Sequence, residues 1–257
     1  MKRFYLNYLV ITALAISAVA CSKDNENGGS SGNGGKGGGT ITMTISKSGA
    51  FEIGIAGTGS ITIDWGDGTG KETFSISSFD GLFTNDDGIH NYYDLKEKYS
   101  YKHYFSGAGR TITITGENIT ALYYGWHQTN VKNPIFLTSL DVSGCKTLID
   151  LDCGFNQLTN LNVSKKNTAL INLNCRCNRL TESALNTLFE SLPDRSRDEF
   201  GLIAINNNPY NLDNHPNNSG TESCNQNIAT AKNWGVLPFA DSGNLAWYRE
   251  QILQNNP

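Results

Sequence analysis

The chain has 257 residues, of which 38% are hydrophobic and 17% charged, and its formal net charge is −4 at pH 7. This length is enough for two ordinary domains with buried cores. The slightly acidic balance, without a cluster of Lys and Arg, argues against a nucleic-acid partner, which would need a basic patch. A mean hydropathy of −0.36 and the lack of a second long apolar run exclude a protein that crosses a membrane several times.

The first 21 residues are expected to be a targeting segment rather than part of a fold. A positively charged start is followed by a mostly apolar, uncharged run from 4 to 20, whose small final residues lead into Cys21. This ending resembles the lipobox of bacterial lipoproteins, and the resemblance implies removal of residues 1–20 and lipidation of Cys21. The alternative is an ordinary secretory signal that happens to be followed by a cysteine.

Residues 22–39 predict a flexible tether, because glycine dominates them and is mixed with serine and asparagine. A coil of this length reaches about 23 Å from end to end. Its first residues, 22–26, are similar to the acidic export signal of surface lipoproteins in some Gram-negative bacteria; the alternative is the start of a solvated tether. We therefore expect a lipid-anchored protein of the outer membrane that is exposed at the cell surface.

Residues 40–116 alternate between apolar and polar side chains, and glycine-rich breaks separate the alternating runs. This pattern indicates the strands of a β-sandwich. Residues 63–69 (Ile-Asp-Trp-Gly-Asp-Gly-Thr) and a later His-Tyr pair at 103–104 resemble the signature of PKD-type domains, which implies an immunoglobulin-like sandwich with Trp65 in its core. An insert at about 76–101, rich in Tyr, Asp and Asn, departs from that family pattern.

The aspartates of this signature admit two interpretations. Asp67-Gly68 has the residue types of a tight turn, because glycine accepts positive φ and aspartate can hydrogen-bond its own backbone. Alternatively, Asp64 and Asp67 bind Ca²⁺ with help from Asp86 or Asp87. Calcium takes about six to eight oxygen ligands, and no EF-hand loop is present. The turn is therefore the favoured interpretation.

One pattern, Leu-x-x-Leu-x-Cys-x-x-Asn-x-Leu, occurs at 148–158 and again at 170–180, 22 residues later. It is the pattern of a leucine-rich repeat, a unit that buries its apolar face only by stacking on its neighbours. Less regular copies at 119–124 and 200–205 extend the array. Residues 117–257 therefore resemble a short leucine-rich repeat solenoid with a parallel inner sheet and a mixed α/β C-terminal cap.

Individual positions of the repeat have expected roles. Cys153 and Cys175 are expected to be buried thiols, because cysteine acts as a small hydrophobe at core positions. Asn156, Asn178 and Asn208 are expected to hydrogen-bond backbone groups that the tight turns leave unpaired. The roles of the thiols at positions 145, 177 and 224 stay open.

A helix is expected in the third coil, because apolar residues between 185 and 192 lie at i, i+3, i+4 and i+7 and form one stripe. Thr181 or Ser183 would cap its start, and Pro193 would end it. A terminal helix at 244–253 is expected to complete the cap.

The outward side chains of the inner strands are candidate ligand contacts. Rows of Asn and Asp can hydrogen-bond sugar hydroxyls or a peptide backbone, and aromatic side chains can add a platform. The alternative is that these residues are merely solvated. The candidates are Tyr123, Trp126, Asp150, Asp152, Asn172, Asn174, Arg176 and Asn206.

The sequence contains no recognisable catalytic or metal-binding motif: no HExxH, no GxSxG elbow and no Walker loop. Asp150 and Asp152 would share one face of a strand, at a spacing compatible with a glycosidase. Nothing in the sequence points to desolvation of either, and we expect both to face solvent. We therefore expect a protein that is not an enzyme and has no cofactor and no metal site.

These features favour a cell-surface lipoprotein that mediates protein–protein interaction or adhesion through the repeat surface. The second hypothesis is a carbohydrate-binding accessory protein at the cell surface, supported by the Tyr-rich insert and the Asn-rich face. A hydrolase ranks far below both. Because one fold serves many functions, the fold alone does not choose between them.

Overall fold

The computed structural model describes residues 39–78, 99–107, 109–125, 134–196, 199–205 and 218–237, all within the compact unit Gly35–Pro257. In these ranges the protein is mostly β-strand, with one mixed sheet and few helices. The expected signal segment, nearly all of the tether, most of the insert and the expected helix at 244–253 lie outside the described residues. The strands are β1 (Gly39–Ile45), β2 (Gly49–Asp64), β3 (Lys71–Ile76), β4 (Ser100–Phe105), β5 (Thr111–Tyr123), β6 (Leu137–Asp141), β7 (Asp150–Asp152), β8 (Asn172–Asn174), β9 (Gly201–Ala204) and β10 (Trp234–Leu237), and the helices are α1 (Glu182–Ser191) and α2 (Asn227–Thr230).

The period-two patterning predicts the faces of the first strands correctly. In β1, Ile41, Met43 and Ile45 are at most 1% exposed, and the threonines between them point to the opposite side. Alternate side chains of a strand point to opposite faces, so one face enters the core and the other meets solvent. Trp65, at the end of β2, is fully buried as expected.

One branch of the sheet is antiparallel and has the order β3–β2–β5–β1–β6. It uses the C-terminal half of β2 and the N-terminal half of β5, which pair from Ile61 with Gly116 to Asp64 with Thr113. We call it the antiparallel branch.

The other branch has the order β4–β2–β5–β7–β8–β9–β10. Here β2 and β5 contribute their other halves, and from β5 to β10 every pairing is parallel. Leu122, Leu151, Leu173 and Ile203 lie side by side in this ladder. The four segments that the repeat spacing predicts as parallel neighbours are therefore neighbours, and we call this part the parallel ladder.

The pairing of the two long strands is irregular where they pass from one branch to the other. The register of β2 against β5 shifts between Ala56 and Gly57 and again between Thr58 and Ile61. Gly57 packs so closely on β5 that a Cβ there would lie 2.0 Å from the backbone oxygen of Asn118, and Gly59 has a φ of +87°. Only glycine accommodates both demands without strain. The region boundary expected between residues 116 and 117 thus lies inside β5, which both branches share.

The core is continuous across the two branches. The apolar side chains of β1, of the first half of β5 and of the ladder belong to one buried cluster. In the ladder, Leu151 and Leu173 are 2% exposed and Cys153 and Cys175 are fully buried. The inward orientation expected for the repeated leucines and cysteines is therefore confirmed.

Buried asparagines join successive coils of the ladder. The Asn156 amide oxygen accepts from the Leu137 N–H at 2.8 Å, and the Asn178 amide oxygen accepts from the Leu158 N–H at 2.9 Å. Both amide nitrogens donate to carbonyls of the preceding coil, so the expected turn-closing role of Asn156 and Asn178 is confirmed. Asn208 lies outside the described residues; Asn218, which the repeat pattern does not single out, accepts from the Leu180 N–H at 3.0 Å.

The expected helix forms as α1. Thr181 caps its start by accepting from the Ala184 N–H at 3.3 Å, whereas Ser183 lies within the helix. At its end, the Lys232 ammonium donates to the carbonyls of Phe189, Glu190 and Leu192 at 2.6–3.1 Å, where a cation also opposes the negative end of the helix dipole. Among the described residues, no helix is long and apolar enough to cross a membrane.

Candidate binding site on the ladder face

The outward face of the parallel ladder, which we call the ladder face, brings most of the candidate residues together. Tyr123, Asp152 and Asn174 form one row across β5, β7 and β8, and Asp150 and Asn172 stand side by side in the row before it. Neighbouring strands are about 4.8 Å apart, so these side chains are immediate neighbours on one face of the sheet. Trp126 and Asn206 lie outside the described residues.

Much of the ladder face is withdrawn from solvent. Tyr123 is 6%, Asp150 5%, Asn172 9% and Arg176 4% exposed, and Asp152 is half-buried. The expectation that both aspartates face solvent is therefore wrong for Asp150, whereas Asp152 meets solvent in part. The physical reason is that apolar clusters flank the polar strip on each side. They consist of Ala56, Tyr99, Ala121 and Tyr123 on the β5 side, and of Phe200, Leu202, Ala204 and Leu237 on the β9 side.

Local hydrogen bonds fix the polar strip. The Asn172 amide donates to the Asp150 carboxylate. The Asp152 carboxylate accepts from the Gly154 N–H at 3.0 Å. In the next coil the Asn174 side chain accepts from the Arg176 N–H at 3.3 Å. The polar groups are thus held in defined positions, as a binding site requires.

Two glycines make room for these side chains. A Cβ at Gly125 would lie 2.6 Å from a carboxylate oxygen of Asp152, and one at Gly154 would lie 3.2 Å from the amide oxygen of Asn174. The glycines therefore let Asp152 and Asn174 lie across the neighbouring strand.

The electrostatics of the strip follow from its burial. Burial raises the pKa of Asp152, and the Gly154 N–H and the positive charge of Arg176 oppose that rise. The pKa of Tyr123 is raised well above its ordinary value by burial, and the charges of Asp150 and Asp152 raise it further. Such perturbed groups cluster in functional sites more often than elsewhere.

Arg176 has an aromatic neighbour that the sequence reasoning missed. Its guanidinium lies 4.9 Å from the ring centre of Phe155, within the range of a cation–π contact. Phe155 has a φ of +57° and Cys177, one coil later, has +51°. Phe155 and Cys177 occupy the same position in the two copies of the repeat, directly before the repeat asparagine, and both have a left-handed backbone. This shared position is the sequence signal by which they could have been found.

A second cluster surrounds Asp67 and has a structural role. One carboxylate oxygen accepts from the Thr69 N–H and hydroxyl at 3.1 and 2.6 Å, and the other lies 2.7 Å from His103 Nε2. The His103 ring stacks on Trp65 at 4.6 Å, and Trp65 donates to Glu72 at 2.9 Å. These bonds agree with the turn interpretation and lower the pKa of Asp67.

Only two of the four aspartates named as calcium ligands lie within the described residues. Asp86 and Asp87 lie outside the described ranges, and within those ranges no group of three or more His, Cys, Asp or Glu side chains could hold a metal ion.

The described thiols are all free and buried: Cys145, Cys153, Cys175, Cys177 and Cys224. Cys21 lies outside the described residues.

No protein-family model matches this chain, and comparisons with curated proteins and with solved structures also gave no match.

Proposed function

We propose that the protein is a non-catalytic lipoprotein of the bacterial cell surface that binds a protein partner through its ladder face. In this proposal residues 40–116 are a PKD-like sandwich and residues 117–257 a leucine-rich repeat solenoid. Cys21 carries the lipid, and the glycine-rich tether holds the folded part away from the outer membrane. The anchor, the tether and the interaction surface together suit adhesion.

The observation that supports this proposal most is the in-register parallel ladder, in which Asn156 and Asn178 tie each coil to the one before. A rigid ladder presents side chains in fixed rows, which lowers the entropy cost of binding. On the ladder face, Asp152 and Asn174 are half-buried and therefore accessible in part. Their carboxylate and amide can exchange hydrogen bonds with a peptide backbone.

A solid-phase assay on the full chain tests the proposal. Purified extracellular-matrix proteins are immobilised, and the wild type is compared with the double variant Asp152→Ala, Asn174→Ala. Asn160→Ala, at an exposed position away from the ladder face, is the matched control. We expect the double variant to lose affinity by roughly tenfold or more, with the control unchanged. Equal loss in both variants, or no binding by the wild type, contradicts the proposal.

The second candidate is a carbohydrate-binding accessory protein. The planar amides and carboxylates of the ladder face favour it, because such groups make paired hydrogen bonds with neighbouring sugar hydroxyls. A glycan array separates the two. Binding to glycans that the double variant abolishes, without binding to any protein, would replace the first proposal by this one.

A further inference from the structure

Strand β4 lies at one margin of the sheet and has a second backbone edge. It pairs with β2, and no other described strand pairs with it. The Ile55 N–H donates to the Tyr99 carbonyl at 2.9 Å, just before β4 begins. In an antiparallel pair, successive residues point their backbone groups alternately toward and away from the neighbouring strand. The N–H and C=O groups of Ser100, Lys102 and Tyr104 therefore point away from β2, toward the second edge.

The side chains along this edge are open to solvent. Tyr104 is 72% exposed, and among the described residues it is the one large apolar side chain that is exposed. Lys102 lies on the same face of β4 and is exposed as well, and so is Ala50, the small residue opposite Tyr104 on β2. Tyrosine is enriched at protein interfaces, where its large ring supplies much of the binding energy. The edge thus combines outward backbone groups with an uncovered aromatic side chain.

Lys102 is not positioned to block the edge. Edge strands often carry a lysine that prevents pairing with another chain. Here the Lys102 ammonium lies 3.6 Å from the carboxylate of Glu52 on β2, and that carboxylate also accepts from the Ser100 hydroxyl at 2.6 Å. The lysine side chain therefore extends over the sheet rather than past its edge, and a neighbouring carboxylate opposes its charge.

A second copy of the chain fits this edge in one antiparallel register, with a twofold axis at His103. Lys102 of each copy then lies opposite Tyr104 of the other, and an ammonium beside a tyrosine ring is an attractive pair. An axis at Lys102 would oppose two lysines, which is destabilising, and an axis at Tyr104 would pair fewer residues of β4. Each His103 ring is already bonded to Asp67 of its own copy at 2.7 Å.

We propose that the protein forms a homodimer in which the β4 strands of two copies pair antiparallel, with Lys102 of each copy opposite Tyr104 of the other. This contact is separate from the ladder face, and it stands whether or not the ladder face binds a protein. Residues opposite each other in paired strands share one face of the sheet. The dimer would therefore present two ladder faces on the same side, which favours bivalent binding.

Disulfide trapping on the full chain tests the register. Every chain carries Cys21→Ser, so that no lipid and no thiol at that position contributes, and the thiols of the described part are buried. Chains with Lys102→Cys and chains with Tyr104→Cys are mixed and oxidised with glutathione disulfide. Directly opposed residues have Cα atoms about 5.5 Å apart, which a disulfide can bridge.

We expect the mixture to form a covalent dimer, because it opposes the two thiols and keeps one native Lys102–Tyr104 pair. Either variant alone places its thiols on a diagonal, about 7–8 Å apart. Each should therefore give at most about a tenth of the yield of the mixture.

Sedimentation velocity at increasing concentration measures the association without engineered thiols. We expect the wild type to associate and Lys102→Pro to remain a monomer, because proline removes an outward N–H without breaking a bond to β2. Asn160→Ala, at an exposed position away from β4, should associate like the wild type. If Lys102→Pro does not give the wild-type circular dichroism spectrum, Tyr104→Ser replaces it and should associate roughly tenfold more weakly.

Three outcomes overturn the proposal: the wild type is a monomer at every concentration, Lys102→Cys alone crosslinks as well as the mixture, or the folded edge variant associates like the wild type. The ladder-face variant Asp152→Ala, Asn174→Ala should still dimerise. Loss of association in that variant alone would place the contact on the ladder face and likewise overturn the proposal.

Discussion

Asn178 is bonded across the coils to Cys153, with its amide nitrogen 3.0 Å from the Cys153 carbonyl oxygen. The same carbonyl also accepts from the Asn156 amide at 3.2 Å. One backbone oxygen thus receives the side chains of two successive repeat asparagines. The stacking of the coils therefore depends on buried hydrogen bonds as well as on apolar packing.

The variant Asn178→Ala should lower the free energy of unfolding by about 3 kcal/mol, because it leaves several buried backbone groups without their partner. Urea titration followed by circular dichroism measures the change. Asn160→Ala, at an exposed position, should change stability by less than about 0.5 kcal/mol. Similar midpoints for the two variants would show that Asn178 is not needed to close the turn.

The Asp67–His103 pair should make the free energy of unfolding depend on pH in the acidic range. The hydrogen bonds from Thr69 and His103 lower the folded-state pKa of Asp67 below its ordinary 3.8. A depressed folded-state pKa adds stability that is fully present above the unfolded-state pKa and is lost as the pH falls through the folded-state pKa. Asp67→Asn should therefore be less stable than the wild type at pH 7, and the difference should shrink below about pH 4.

Urea titrations at a series of pH values measure this difference. Glu222→Gln, which removes an exposed carboxylate, should differ little from the wild type in free energy of unfolding at every pH. If the gap between Asp67→Asn and the wild type did not change with pH, the carboxylate of Asp67 would not be the group responsible.

The core thiols should resist modification while the protein is folded. Burial raises the pKa of Cys153 well above its ordinary value and that of Cys177 to about 12, and only the thiolate reacts readily. Iodoacetamide at pH 8 should leave Cys153, Cys175 and Cys177 unlabelled in the native protein and label them in urea. Peptide mass spectrometry gives the labelling at each site, and rapid native labelling of Cys175 would contradict its core position.

The lipid anchor at Cys21 is testable in a bacterial host. Cells fed an alkyne-bearing fatty acid should label the wild type, and Cys21→Ser should abolish the label and move the protein out of the membrane fraction. Cys224→Ser, which changes a thiol in the folded part, is the control and should keep both. A Cys21→Ser protein that is still labelled would favour another site of attachment.

Much of the ladder could be predicted from sequence, because the residues that stabilise it recur at a fixed spacing along the chain. Leu151 and Leu173 repeat with the strands, and Asn156 and Asn178 repeat with the turns, so their roles follow from spacing. Helix α1 follows from one apolar stripe. The faces of β1 follow from simple alternation.

Other features could not be predicted, because they arise from contacts between distant parts of the chain. Asp150 lies between Ala121 of β5 and Asn172 of β8, which are distant from it in the chain, so its burial does not follow from the local sequence pattern. Asn218 lies outside the repeat spacing although it performs the repeat function. The register shift of β2 against β5 at Gly57 follows from the pairing of the two strands and not from the sequence, since glycine in a strand is compatible with several structures.

The two branches share two strands, β2 and β5, so we expect them to fold together. Cutting the chain after Gly116 would leave the first piece without the half of β5 that pairs with Gly54–Thr58, and the second piece without β2 beside the first strand of its ladder. Each fragment would expose an unpaired edge and half of an apolar interior, which favours aggregation. We therefore expect the chain to unfold in one transition, and neither half to be replaceable by a foreign module.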